Sequence, residues 1–121
     1  MHLNHITIMG RLTVDPEVQS TRKDNVPVCR FSIAVDRPKR RDMAESKTDF
    51  FNCVAWNGTA KLLENYFHKG ERILVEGSLR NRTYLDKMEE KRTVAEIHVD
   101  KVFFIEKKSD SEQEADLEEL F

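Results

Sequence analysis

Two stretches crowded with β-branched and aromatic residues, 48–56 and 72–85, enclose one segment of helical periodicity, and this strand–helix–strand order constrains the fold more than any other feature. The enclosed segment opens on Asn57, Gly58 and Thr59, which favour helix starts, and closes on Gly70. Ala60, Leu63 and Phe67, with Leu62 and Tyr66, recur at helical spacing, which predicts one apolar stripe packed on a core. Three more stretches of strand character, 5–13, 26–35 and 92–106, are set off by Pro, Gly, Asn and Asp. The expectation is a mostly β domain of five strands with one helix between the third and fourth. That is the element order of an OB-fold, a small five-stranded Greek-key barrel.

At 121 residues the chain has material for one core and not two. Its longest apolar runs are four residues, as at 102–105, whereas a membrane span needs about 20. With no basic-then-apolar or Arg/Ser-rich start, a cytoplasmic protein is expected, with no membrane partner. The charge is uneven: residues 109–121 hold six acids and no Lys or Arg, while residues 1–108 hold all 20 cations and the other 16 acids, a net +4. The expected organisation is a mildly basic domain over 1–108 and an acidic, disordered tail over 109–121.

Alternate residues of a strand point to opposite faces, so parity sorts the side chains. Cys29, Phe31, Ile33 and Val35 share one face and read as barrel interior, which leaves Arg30, Ser32, Ala34 and Asp36 on the other. Small Cys53 and Ala55, with Phe51, suit a tight interior and turn Phe50, Asn52, Val54 and Trp56 outward. Arg80, Arg82 and Tyr84 share one face of the fourth expected strand.

Rings mixed with guanidinium groups suit single-stranded nucleic acid: cations meet phosphates, and unpaired bases stack on flat side chains, whereas a duplex hides its base faces. Phe50, Trp56 and Tyr84 are the candidate stacking rings, with Arg80 and Arg82 beside them. Arg37, Lys39, Arg40 and Arg41 follow the second strand as a candidate phosphate-gripping loop. Any one ring also fits a core or a subunit interface, and a basic run also fits a nuclear address or a solvated face. A nuclear address, however, leaves the aromatic strands unexplained.

In order and spacing, the chain resembles the bacterial single-stranded DNA-binding protein family over nearly the whole of its basic domain. The likeness rests on Met9-Gly10-Arg11-Leu12-Thr13-Val14-Asp15-Pro16-Glu17, on Phe31-Ser32-Ile33-Ala34-Val35, on the run from Thr48 to Trp56, on the helix ending in Lys69-Gly70, and on the run from Val75 to Tyr84. The resemblance implies an OB-fold that assembles into homotetramers and wraps single-stranded DNA without sequence preference in replication, recombination and repair. Phe50, Trp56 and Tyr84 fall where the family has its base-stacking rings; Arg11, Arg30 and Asn52 are expected to line the same surface. Two further aromatic positions of the family hold Lys39 and Ser20 here, which implies that charge replaces some stacking and that binding depends more steeply on salt.

The tail resembles the family's acidic tip, with Asp116, Glu118, Glu119, Leu120 and Phe121 as candidate partner-binding residues, although the Pro usual before the last Phe is absent. A basic, apolar pocket on a replication, recombination or repair protein is the expected receptor, and the acids are also expected to compete with DNA for the basic face.

Cys29 and Cys53 read as small core residues without a disulfide. The four histidines are scattered, and no metal or cofactor motif is present. A metal-dependent hydrolase needs converging acids, yet Asp36, Asp49, Glu76, Glu96 and Asp100 lie on different expected strands. The expectation is therefore a binding protein and not an enzyme. An OB-fold protein-interaction or RNA-binding module of a primosome or translation complex is the alternative, and the Phe-ended acidic tip argues against it.

Overall fold

The computed structural model describes residues 1–21, 23–38 and 45–105. Its elements run β1 (Ile6–Leu12), β2 (Val18–Ser20), β3 (Pro27–Asp36), β4 (Thr48–Trp56), α1 (Asn57–Tyr66), β5 (Arg72–Leu85) and β6 (Lys91–Phe104). The sheet order is β1-β5-β6-β4-β3-β2. A further pairing of Arg11 with Ala34 and Leu12 with Ile33 joins β1 back to β3, which curls the sheet into a barrel. All pairings are antiparallel except β4 on β6, where Cys53 meets Ile97 and Val54 meets His98. This is the expected OB-fold, with the five strands in place and the short β2 added. Three residues between turn signals carry too little periodicity to be read as a strand; β2 exists because Val18, Gln19 and Ser20 pair with Cys29, Val28 and Pro27.

Parity holds on the inward faces. Cys29, Phe31, Ile33, Cys53 and Ala55 are buried in one cluster with Leu12, Ile73, Val75, Ile97 and Val99, and Val35 and Phe51 pack on it from its margin. Both cysteines are free thiols, and burial pushes Cys29 up to about 11 and Cys53 up to about 12, so neither forms a reactive thiolate at neutral pH.

The helix departs from expectation in three ways. Its N-cap is Trp56, extended and without a side-chain cap, rather than the polar run 57–59. It ends at Tyr66, where the Phe67 amide donates to the Leu63 carbonyl, and the chain reaches Gly70 in extended and turn geometry with φ of 86° at the glycine. Its stripe also splits: Ala60, Leu63 and Phe67 are buried against the barrel, whereas Leu62 and Tyr66 are exposed. Successive helix residues turn about 100°, so Leu62 lies beyond the arc that 60, 63 and 67 can bury.

The β5–β6 hairpin extends past the barrel, and its residues from Leu79 to Leu85 are exposed. Asp86 organises the turn, its Oδ1 accepting from the Met88 and Glu90 amides and its Oδ2 from Arg92 Nε at 2.9 Å. Among the described residues, no helix is long and apolar enough to cross a membrane.

Candidate nucleic-acid interface

One outer face of the curled sheet is set by register. Arg30 on β3 pairs with Val54 on β4, Val54 with His98 on β6, and His98 with Ser78 on β5. The same parity carries Phe50, Asn52 and Trp56 along β4, and Arg80, Arg82 and Tyr84 along β5. Arg11 joins this face through Ala34, which pairs with Arg11 on one side and Phe50 on the other.

The rings stand open: Phe50 is 66% exposed, Tyr84 43% and Trp56 36%. Phe50 and Trp56 are six residues apart on one strand, about 20 Å at the rise of an extended chain. Each lies near an end of β4 on this face, with Asn52 exposed between them. The Cζ atom of Arg82 sits 5.4 Å from the centroid of the Tyr84 ring, a cation–π contact that joins an exposed ring to a charge.

The cations are not equivalent. Among the described residues, Arg11 and Arg80 are exposed and form no ion pair. Arg37 is held by Asp49 through a fork of two hydrogen bonds, 2.7 and 2.9 Å, which ties the two ends of the basic loop together. Lys39, Arg40 and Arg41 lie outside the described residues, as does the whole tail. Ser20 is exposed at the end of β2.

Arg30 and Arg82 converge on Glu96. Arg30 Nη1 donates to Glu96 Oε2 at 2.7 Å, and Arg82 Nε lies 3.2 Å from the same oxygen. His98 Nε2 is 3.7 Å from Oε1. The glutamate is 4% exposed, the one charged side chain among the buried residues described. Arg30, Asn52, Arg82 and Glu96, with Phe31 and Cys53, line a pocket of ≈ 340 Å³ on the groove face. Sequence parity missed this cluster because it read Glu96 as one of several scattered acids. Its signal was available only in the hairpin register, which sets Glu96 opposite Arg80.

Burial, the strongest influence on the Glu96 carboxyl, pushes its pKa up, but Arg82 and Arg30 together outweigh burial and bring it below the ordinary 4.5. Burial also lowers His98 below 6.5, aided by Arg80 and opposed by Glu96. Both groups bind protons more tightly in the unfolded chain, so both favour folding at neutral pH and lose that contribution on acidification. The His98 part is lost first, as the pH falls below about 6.5, and the Glu96 part as it falls through the lowered carboxylate pKa. Melting temperature followed from pH 8 to 3 should therefore decline in two stages; a His98→Val variant should lack the upper stage, and an identical profile for the two proteins would refute it.

The described residues contain no group of three His, Cys, Asp or Glu placed to hold a metal ion. Residues 3–105 match the family model described as the single-strand binding protein family. The chain belongs to the single-strand binding protein family. A single-stranded DNA-binding protein of Halalkalibacterium halodurans is 38% identical over 92% of this chain, which spans 66% of that relative's length. One from Caldanaerobacter subterraneus is 37% identical over 98% of this chain and 83% of its own length. A solved structure described as the Plasmodium falciparum SSB complex with ssDNA superposes with a TM-score of 0.77 at 26% identity, covering 88% of this chain and 97% of that one.

Proposed function

We propose that this single-strand binding family member binds single-stranded DNA without sequence preference, and that it does so by stacking rather than by base-edge readout. The observation that carries the reading is the set of three exposed rings, Phe50, Trp56 and Tyr84, on one face with Arg11, Arg30, Arg80 and Arg82. Every base has a π-face, so stacking accepts any sequence, and only unpaired bases offer that face. The names of its relatives and of its structural neighbour support the same substrate.

No bond need be made. By binding only unstacked strands the protein shifts transient openings toward the single-stranded form by mass action, protecting the strand in replication, recombination and repair. Assembly as a homotetramer, carried by the family resemblance, links four such surfaces at high local concentration. The acidic segment 109–121, through Asp116, Glu118, Glu119, Leu120 and Phe121, recruits partner proteins and competes with DNA for the basic face.

Titration with poly-dT, followed through the fluorescence of Trp56, the single tryptophan of the chain, tests the reading. Strong quenching is expected with poly-dT and little with duplex; an equal response to duplex refutes the stacking groove. The same titration on a chain lacking residues 109–121 should show equal or tighter binding at low salt, and a clear loss of affinity refutes the competition.

A further inference from the structure

We propose that Glu96 is a positioning residue for DNA binding: one buried carboxylate oxygen holds Arg30 and Arg82 as a preset pair of phosphate donors across the groove. The inference rests on the single-stranded DNA reading and adds to it a residue that makes no contact with the strand.

Arg30 and Arg82 come from β3 and β5, which β4 and β6 separate in the sheet. That is three strand spacings, about 14 Å of backbone. Both side chains lean inward to the same Oε2 on β6, and Val54, flanked in register by Arg30 and His98, has no exposed surface although its parity turns it outward. The guanidinium groups are nevertheless half open, with 51% of the Arg30 side chain and 46% of the Arg82 side chain exposed, against 5% of Glu96. Each arginine spends one N–H on the anchor and keeps the rest of its fork for solvent or a phosphate.

Two consequences follow. Long side chains lose rotamer freedom when they grip a ligand, and here part of that ordering is already done in the folded protein. Arg82, held through Nε, also stays against the Tyr84 ring, so a phosphate donor stands beside a stacking platform. Every fully buried side-chain nitrogen and oxygen among the described residues has a partner, and Glu96 Oε2 already holds both arginines before DNA arrives.

Charge alone predicts the opposite of positioning. Removing the Glu96 carboxylate makes the groove more positive by one, which should tighten binding and steepen its salt dependence. Positioning predicts that Glu96→Gln binds oligo-dT about 10-fold more weakly, the scale of one lost charge-assisted hydrogen bond. It also predicts a shallower slope between about 50 and 200 mM salt, because fewer phosphates are gripped. Binding within threefold of the natural protein, or tighter, overturns the proposal.

Circular dichroism reports whether the variant folds. If it does not, Arg30→Lys, Arg82→Lys and the double variant replace it, since lysine keeps the charge but has no fork. Two arginines sharing one anchor should be coupled, so the double variant should lose less than the product of the single losses by threefold or more. Losses that multiply to within threefold overturn the proposal. Failure of the natural protein to bind oligo-dT at all refutes the underlying function instead.

Discussion

A Phe50→Ala/Trp56→Ala double variant is expected to bind oligo-dT at least about 100-fold more weakly while remaining folded, since each stacked base contributes on the order of 1 to 3 kcal/mol. Both rings are exposed and lie outside the buried cluster, so melting temperature should fall by only a few degrees. Fluorescence anisotropy of a labelled oligonucleotide reads the affinity, because the variant lacks tryptophan. Phe104 supplies the comparison: it is 56% exposed, yet it packs on Phe67 at the helix side, with ring centroids 5.3 Å apart. Phe104→Ala should cost some stability and leave affinity unchanged. Equal losses of affinity in the two proteins would mean that exposed apolar surface in general, and not the groove, attracts the strand.

The second large effect concerns the backbone. Gly77→Ala is expected to destabilise the domain by about 3 kcal/mol or more, enough to unfold a marginal chain. Gly77 sits where the β5–β6 register shifts, between Glu76 and Gly77. A Cβ there would strike the His98 carbonyl oxygen, and would lie 2.9 Å from its carbon and 3.1 Å from the Val99 Cα. All three are backbone atoms of a paired strand, so no side chain can swing aside. Gly58→Ala makes the same chemical change in α1 with nothing within 4 Å and should be neutral or slightly stabilising. Denaturant melts of the two variants decide the matter; similar midpoints would refute the close approach of β5 to β6. Because the shift lies just three to four residues before Arg80, which is opposite Glu96 in register, it also sets how the hairpin meets the arginine face.

The same distinction between local and non-local information accounts for what could be read beforehand. The bounds of β4 and β5 match the expected stretches, and of the inward sets on β3 and β4, Cys29, Phe31, Ile33, Cys53 and Ala55 are buried as parity requires, with Val35 and Phe51 partly buried at the margin. Phe50 and Trp56 turn outward because their neighbours Phe51 and Ala55 turn inward, a relation contained in two adjacent residues each time. Helix ends were less legible: Asn57, Gly58 and Thr59 look like capping residues, but the entry of β4 into the helix makes Trp56 the cap. Leu62 and Tyr66 belong to the stripe by spacing, yet the barrel mouth accepts a narrower arc than the stripe offers.

Charge partners were the least legible of all. Arg37 and Asp49 flank a loop and join β3 to β4 only because those strands pair Asp36 with Thr48. Glu96, Arg30 and Arg82 are up to 66 residues apart, and nothing in their local surroundings marks them as partners.

The sequence by itself determined the strand and helix order, the composition of the barrel interior and the outward turn of the rings, since these follow from periodicities of about two and 3.6 residues. The tertiary structure decided which outward side chains meet. Register and strand adjacency depend on how distant segments pack, so they alone brought two arginines from separate strands onto one buried carboxylate.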